Sequence, residues 1–472
     1  MKRLLPLFSA PLSLLPLLVC ANAAAQQSSE FPAPKSLGDT SKYGANIQRT
    51  MRLLSTSTPE NRNTVKILFY GQSITEQAWW KTVTEDLKKR FPHANLIVEN
   101  RAIGGHSSQL LAKTAEADLY PFQPDLLIFH VYGSHVEYEN IIKSVRARTT
   151  AEILLQTDHP TKAENLTEET DASKLAPNKW DAFINNSFLP SIAKKYQAEL
   201  CDQRAIWKQY LKDYQLEPSA LLSDSVHLNK RGEFLMAEAV KAYLRVDPKL
   251  GPSPADAWVK THATGKDVKW QNGRLVLDFE GTRVDLISRT AGKAPVKIQI
   301  DGKRPSEFPS LYGFTRTSYY PHSNWPCILR VQSEKPLQVE DWTATLKNVG
   351  SDPKTIQFEL TGSKTGKDGS GEVGKKFVSN SGRVVIEPDD WNLDYCMKVH
   401  GAKLKDGFEV KWQAAPHFTD EFTPAAPATA GIESIQTVAQ GLPAGKHTLQ
   451  LETTDLSTLS AIRVYKPAPA VQ

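Results

Sequence analysis

The chain has 472 residues, with 57 lysines and arginines against 52 aspartates and glutamates, and a formal net charge of +5. Hydrophobic residues make up 40% and charged residues 23%, which is a globular composition and excludes a wholly disordered or fibrous protein. So small a basic excess gives no reason to expect a nucleic-acid partner.

The first 25 residues are typical of a secretory signal peptide. A basic start at Lys2 and Arg3 leads into an apolar run over 4–19, and the small residues at 21–23 fit a cleavage site. The run is shorter than the ~20 residues that span a bilayer. A lipoprotein signal ending at Cys20 is the less favoured alternative, because the residue before it is not small. We therefore expect a periplasmic or secreted protein without a membrane span.

Residues 26–64 are polar and rich in proline, serine and threonine, and they predict an N-terminal arm. The following part, 65–250, alternates between short apolar runs and stretches with helical spacing of apolar residues. The predicted strands are 65–70, 96–99, 126–131, 153–156 and 198–201, and the predicted helices lie around 80–91, 180–192 and 232–244. This alternation predicts an α/β unit in which helices cover both faces of a parallel sheet.

After a Gly-Pro-Ser-Pro linker at 251–254, the pattern of polar and apolar residues changes. Short segments of alternating polarity, such as 274–279, 296–300 and 447–451, predict an antiparallel β-sandwich region over 255–472. Its length favours two lobes, and we expect residues 305–430 to be nested between strands that belong together.

The expected export decides which cysteines remain in the mature protein and whether they can form a disulfide. Cleavage of the leader would leave Cys201, Cys327 and Cys396. An oxidising compartment permits a disulfide, and the sequence favours Cys327 with Cys396 because both lie in the C-terminal region. Cys201 lies in a predicted buried strand and is expected to be a core thiol. No cysteine or histidine spacing resembles a zinc site, so we expect no metal.

Four turns carry residue types with catalytic chemistry. Ser73 follows the first predicted strand, the glycine pair 104–105 follows the second, and Gly-Ser-His at 133–135 follows the third. Asp224 and His227, three residues apart, precede the last helix. Taken alone, each motif is common by chance. Together they fall at the edge where open α/β sheets bind their ligands, which favours one shared site.

On these motifs, residues 65–247 resemble the SGNH (GDSL-like) hydrolase superfamily. Gly-Gln-Ser at 71–73 corresponds to the Gly-Asp-Ser block of the family, and Gly105 corresponds to its oxyanion-binding glycine. Residues 133–135 correspond to the Gly-x-Asn block. Asp224 and His227 match the Asp-x-x-His block. The resemblance implies a three-layer sandwich with Ser73 as nucleophile, His227 as base and Asp224 as its orienting partner. It implies no cofactor.

Two departures from the family pattern affect the expected site. Gln72 replaces an aspartate and removes a negative charge, and His135 replaces the asparagine that gives a third oxyanion donor. Since a neutral imidazole has one N–H, we expect His135 to share the oxyanion with Gly105. The residues expected to bind substrate are Gln72, Tyr132, His106 and Trp79.

An exported α/β unit joined to β-sandwich material resembles bacterial carbohydrate esterases. This implies an enzyme that removes acyl groups, with acetyl the expected one, from a polysaccharide or oligosaccharide. Aromatic side chains suit sugar faces, and the candidates, with core packing as the alternative for each, are Trp79, Tyr132, Tyr319, Tyr320 and Trp325.

Two other functions stay open on the same fold. A glycosidase or lyase would use carboxylate or imidazole acid–base chemistry near the strand ends, and the candidates are Glu76, Glu137, Asp158 and His159. A non-catalytic glycan-binding protein would bind sugar without turnover. The sequence leaves the oligomeric state open.

Overall fold

The computed structural model describes residues 30–468, so the predicted signal peptide lies outside the described residues. Within this range, no helix combines the length and the apolar character that crossing a membrane requires.

Five parallel strands form the central sheet, in the order β2-β1-β3-β4-β5. Their bounds are β1 (Thr64–Gly71), β2 (Asn95–Asn100), β3 (Leu126–His130), β4 (Glu152–Gln156) and β5 (Glu199–Cys201). Each apolar run that predicted a strand in this part of the sequence is one of these five. The predicted parallel α/β unit is confirmed.

Helices cover both faces of this sheet. They are α1 (Gln48–Ser55), α2 (Ser73–Glu76), α3 (Trp79–Arg90), α4 (Ser108–Asp118), α5 (His135–Arg148), α6 (Trp180–Phe183), a π-helical turn (Ile184–Phe188), α7 (Leu189–Lys195), α8 (Gln203–Asp213) and α9 (Lys230–Tyr243). Alternate residues of β1 enter opposite cores, as the period of a strand requires. Ile67 and Phe69 pack with α1, α3, α8 and α9, whereas Leu68 and Tyr70 pack with α4, α5 and α7.

The segment before β1 contains more structure than its composition predicts. Met51 and Leu54 of helix α1, and Ile47 just before it, are almost completely buried. The first turn of α1 lies on a buried carboxylate, because Glu152 accepts the backbone N–H of Arg49 at 3.0 Å and of Thr50 at 2.7 Å. The apolar stripe is short, and the prolines and hydroxyl residues around it give the segment a polar composition. Composition alone therefore does not predict this helix.

The strand order reverses between β1 and β3, and open α/β sheets bind ligands in the crevice at such a point. Gly71 pairs with His130 at this edge. A Cβ on Gly71 would lie 2.2 Å from the His130 carbonyl oxygen and 2.4 Å from Thr75 Oγ1. The end of β1 therefore requires glycine immediately before Gln72 and Ser73.

All strand pairs in the described part of the chain after residue 258 are antiparallel. The strands are β6 (Val259–Ala263), β7 (Arg274–Glu280), β8 (Arg283–Ser288), β9 (Val296–Ile300), β10 (Tyr312–Phe314), β11 (Glu340–Lys347), β12 (Gln357–Gly362), β13 (Gly366–Glu372), β14 (Phe377–Val378), β15 (Val385–Ile386), β16 (Glu409–Pro416), β17 (Glu421–Phe422), β18 (Ser434–Gln440), β19 (Lys446–Glu452) and β20 (Leu459–Tyr465). The predicted antiparallel β region is confirmed.

Two four-stranded sheets, β17-β9-β19-β7 and β18-β8-β20-β6, enclose an apolar core of their own. Between β9 and β17 the chain forms the inserted segment, residues 301–420. This segment contains the five-stranded sheet β10-β16-β11-β12-β13, the β14-β15 pair and helix α10 (Leu393–His400). The strands on either side of the inserted segment pair with each other, since β9 pairs with both β17 and β19.

Cys327 and Cys396, the pair that the sequence favours if a disulfide forms, are not bonded to each other. Cys201, Cys327 and Cys396 are all buried free thiols. Burial raises the pKa of the Cys396 thiol to about 12, because the thiolate is poorly solvated there. These cysteines act as small apolar core residues.

The inserted segment shares an apolar core with the α4–α5 face of the parallel sheet, where Trp325 and Trp342 belong to the same cluster as Tyr70. An ion pair also joins the two parts. Arg316 donates from Nε and Nη2 to the two carboxylate oxygens of Asp118, at 2.6 and 2.5 Å. The Asp118 side chain is only 3% exposed, so its charge depends on this partner.

We expect Arg316→Met to lower the free energy of unfolding by roughly 3–5 kcal/mol, because it leaves a buried carboxylate unpaired. Arg148→Met is the control, since it removes the exposed Arg148–Glu116 pair and should cost less than about 1 kcal/mol. Urea denaturation of both variants measures the difference. Equal losses would show that the Asp118–Arg316 pair does not anchor the inserted segment.

Candidate active site

Ser73, His227 and Asp224 meet at the carboxyl ends of β1 and β3. His227 Nε2 lies 2.8 Å from Ser73 Oγ, and His227 Nδ1 lies 2.7 Å from Asp224 Oδ2. Ser73 begins α2 directly after β1, whereas the other two residues lie on the loop before α9. Both distances are hydrogen-bond distances, so a proton on Ser73 Oγ has a direct path to the imidazole.

Asp224 holds the imidazole in the orientation that a base needs. Its Oδ1 accepts the backbone N–H groups of His227, at 2.7 Å, and Val226, at 2.8 Å. The N–H of His227 and then that of Val226 stabilise the carboxylate and lower the pKa of Asp224 to about 2. An ionised Asp224 draws the imidazole N–H to Nδ1 and leaves the Nε2 lone pair facing Ser73.

Two further residues hold this loop in place: Gln77, which the sequence did not single out, and His159, which it offered only as an acid–base candidate. The Gln77 side chain exchanges two hydrogen bonds with the backbone of Leu228, each 2.9 Å long. His159 Nε2 lies 2.9 Å from the carbonyl oxygen of Val226, and burial lowers the pKa of His159 to about 4, so the neutral ring donates one N–H there. Both side chains bind backbone atoms distant in the sequence, and no residue pattern marks such contacts.

The glycine pair forms a tight turn beside the nucleophile, which we call the Gly-Gly turn (residues 103–106). The N–H of Ile103 donates to the carbonyl oxygen of Gly71 at 3.0 Å. Within the turn, the N–H of His106 donates to the carbonyl oxygen of Ile103 at 3.2 Å. A Cβ on Gly104 would lie 3.6 Å from the Ser73 Cβ. Neither Ser73 nor Gly105 has a hydrogen-bond acceptor for its N–H within residues 30–468. These two donors are available to an oxyanion on a Ser73 adduct.

The His135 ring lies among aromatic side chains. Ser134 caps α5, and His135, the first residue of that helix, packs against Phe183 and Phe188 with ring centroids 5.2 and 4.8 Å away. Its pKa is lowered by burial. The oxyanion role of His135 stays a prediction, because these contacts define the surroundings of the ring but not its reach to an adduct on Ser73.

Gln72 and Tyr132 lie at the site, but as structural links between strand ends. Gln72 is buried, and its Oε1 accepts the backbone N–H of Tyr132 at 3.4 Å. The Tyr132 ring packs edge-on against His130, with centroids 5.2 Å apart. A neutral glutamine therefore connects the first and third strands where the family pattern has a charged aspartate.

Other predicted binding residues are core residues. Trp79 is 1% exposed, and its indole N–H donates to the carbonyl of Ile74 at 2.6 Å. His106 is fully buried, and burial lowers its pKa to about 4. Tyr320 is buried and bonds to the backbone of Ala402. None of these three side chains presents a surface to a substrate, whereas Tyr319 is half exposed.

The residues considered for acid–base chemistry do not form a second site. Asp158 is buried and lies 2.9 Å from His130 Nε2, and His159 is held by Val226. Glu76 accepts a hydrogen bond of 2.6 Å from Asn324 of the inserted segment. Across residues 30–468, no group of three or more histidine, cysteine, aspartate or glutamate side chains is placed to hold a metal ion.

No family model and no curated protein matches the sequence. Among solved structures, the chain is similar to a two-domain esterase active on acetylated mannans, with 15% identity, a TM-score of 0.36, and 91% of this chain and 99% of that chain covered. An acetylxylan esterase from Geobacillus stearothermophilus has 20% identity and a TM-score of 0.33, over 40% of this chain and 98% of that chain. An α/β hydrolase from the metagenome of Lake Arreo, Spain, has 19% identity and a TM-score of 0.32, over 39% of this chain and 97% of that chain.

We expect the protein to lose stability as the pH falls from about 6.5 to about 4, and His159 to cause part of the loss. Its pKa is about 4 in the folded chain, against an ordinary value of 6.5, so the unfolded chain binds the proton more readily in this window. His159→Gln keeps an N–H for Val226 but cannot titrate, and should flatten the decline.

Urea denaturation between pH 7 and pH 4 measures this effect. His93→Gln, which changes an exposed histidine, should leave the wild-type decline intact. A decline of equal size in His159→Gln and in the wild type would contradict the assignment.

Proposed function

We propose that the chain is an exported serine hydrolase that removes small acyl groups, above all acetyl, from a polysaccharide or oligosaccharide. The observation that carries this proposal is the continuous hydrogen-bonded line from Ser73 Oγ through the His227 ring to Asp224. Such a line activates a hydroxyl as a nucleophile. The α/β scaffold supplies the serine and the loop before α9 supplies the other two groups.

In the proposed reaction, Ser73 Oγ attacks the ester carbonyl while His227 Nε2 takes the hydroxyl proton. The carbonyl oxygen becomes an oxyanion that accepts the N–H groups of Ser73 and Gly105. Collapse of the adduct breaks the ester bond, and His227 returns the proton to the leaving sugar oxygen. Water then attacks the acyl-enzyme, with His227 as base, and this step releases the acid and restores Ser73.

The surroundings of Ser73 favour a small acyl group on a bulky alcohol. The side chains of His227 and Asp224 are 38% and 53% exposed, so the nucleophile can be reached by a polymer. On the acyl side, Ser73 lies beside Gly104 of the Gly-Gly turn, and the Glu76 carboxylate packs on the same glycine. A long lipid acyl chain needs an apolar channel, whereas these neighbours of Ser73 are a glycine and a carboxylate.

Two of the similar structures are an esterase active on acetylated mannans and an acetylxylan esterase, and we take acetylated mannan and acetylated xylan as the test substrates. The signal-peptide pattern in the first 25 residues supports export, where such polymers occur.

The alternatives draw less support from the described residues. A glycosidase needs two carboxyl groups that reach the sugar, and Asp158 is buried and engaged with His130. A glycan-binding protein needs no hydrogen-bonded Ser73–His227 contact of 2.8 Å. The hydrolase uses this contact directly.

We expect the purified protein to release acetate from acetylated mannan or xylan, and Ser73→Ala to lower the rate by at least about 10³-fold, as loss of a nucleophile does. Ser191→Ala, at an exposed serine outside the site, should keep the wild-type rate. Acetate is measured together with reducing ends.

Reducing ends released equally by wild type and Ser73→Ala would favour the glycosidase and refute the esterase. Acetate release that survives in Ser73→Ala would equally refute the proposed nucleophile.

A further inference from the structure

Two aromatic side chains of the inserted segment lie directly on Gly105. The Tyr395 hydroxyl donates to the Gly105 carbonyl oxygen at 2.9 Å. A Cβ on Gly105 would lie 2.7 Å from Trp325 Cζ2 and 3.3 Å from the Tyr395 hydroxyl. The two rings also pack on each other, with centroids 4.6 Å apart. The glycine whose N–H is free for an oxyanion is thus covered by residues more than 200 positions away.

The Gly-Gly turn needs such a restraint. Adjacent glycines have the widest backbone freedom of any residue pair. Gly105 has a φ of 76°, which is the value that the third position of a type II turn takes. In the alternative type I turn, the Gly104–Gly105 peptide is flipped, and φ at this position is negative. The flip would turn the Gly105 N–H away from its present direction.

We propose that Tyr395 and Trp325 are positioning residues that keep the Gly105 N–H directed at the oxyanion, so that the inserted segment is part of the catalytic machinery. This inference rests on the proposed esterase function. The Tyr395 hydrogen bond fixes the carbonyl side of Gly105, and the Trp325 ring fills the space over its Cα. Rotation about φ of Gly105 alone would carry its carbonyl away from the Tyr395 hydroxyl, and a compensated flip of the Gly104–Gly105 peptide would shift the Cα hydrogens that pack against the Trp325 ring.

Both aromatic residues are themselves held rigidly. Asn392 directly precedes α10. Its backbone N–H donates to the carbonyl oxygen of Cys327 at 2.9 Å, and its side-chain amide donates to the carbonyl oxygen of Pro326 at 3.1 Å. These bonds connect the Trp325 loop to the helix that carries Tyr395. Leu393 and Cys396 anchor that helix in the core, where both are fully buried. A rigid support makes the restraint on Gly105 effective.

A second contact from the same loop covers the other glycine. Asn324 Nδ2 donates to Glu76 Oε1 at 2.6 Å, and Glu76 Oε2 lies 2.5 Å from the position of a Cβ on Gly104. Glu76 belongs to α2, which begins with Ser73. The inserted segment therefore contacts both the Gly-Gly turn and the helix of the nucleophile.

The test uses Tyr395→Phe in the full-length protein, because this change keeps the ring and removes only the hydroxyl. With p-nitrophenyl acetate, an ester too small to span the site, we expect kcat to fall about tenfold, the effect of losing one neutral hydrogen bond, while KM stays unchanged. Tm should fall by no more than a few degrees, since the change removes one hydrogen bond at a residue that is 37% exposed. Tyr312→Phe, which removes a hydroxyl bonded to the Ser306 carbonyl at 2.8 Å in the same segment, should keep the wild-type kcat.

Rates are expressed per active site, counted by titration with a fluorophosphonate, so that unfolded protein does not enter kcat. An unchanged kcat in Tyr395→Phe overturns the inference, and so does a change confined to KM for acetylated oligosaccharides, which would make Tyr395 a sugar contact. Failure of the proposed function gives a different result, because wild-type protein would then neither react with the fluorophosphonate at Ser73 nor hydrolyse the ester.

Discussion

The hydrogen bond between Ser73 Oγ and His227 Nε2 joins two segments that are 154 positions apart, and the site depends on it. Its geometry follows from the strand order, since the crevice between β1 and β3 receives both the serine and the loop before α9. Gly71 allows the close approach at the end of β1, and Gln77 fixes the distance between the two segments through the Leu228 backbone. The catalytic contact is therefore a consequence of the sheet topology, refined by a few polar contacts to the backbone.

The C-terminal half contributes in two different ways. The paired four-stranded sheets have an apolar core of their own. In contrast, the inserted segment shares its core with one face of the parallel sheet and reaches Gly105 and Glu76. In the proposed mechanism the oxyanion donors belong to the α/β unit and their restraint belongs to the inserted segment, so docking of the inserted segment is coupled to the chemistry. The buried Asp118–Arg316 pair lies on the same interface.

Much of the fold could be predicted from the sequence, because strands buried on both faces are continuous apolar runs and the helices between them have clear periodicity. Helix α1 was missed since only a short apolar stripe marks it. The meeting of Ser73, His227 and Asp224 could be predicted from the order of their motifs along the chain. Gln77, His159 and Tyr395 could not, because each binds a backbone atom that any residue would supply. The aromatic pocket around His135 could not be predicted either, since it comes from a later segment of the chain.

The most direct test of the account is a crystal structure of the protein after reaction with a small alkyl fluorophosphonate, which mimics the tetrahedral adduct. We predict phosphorus bonded to Ser73 Oγ, with one phosphoryl oxygen about 3 Å from the backbone nitrogens of Ser73 and Gly105, the distance of an N–H···O bond. A phosphoryl oxygen directed away from the Gly-Gly turn, or phosphorus attached to a different residue, would contradict the account.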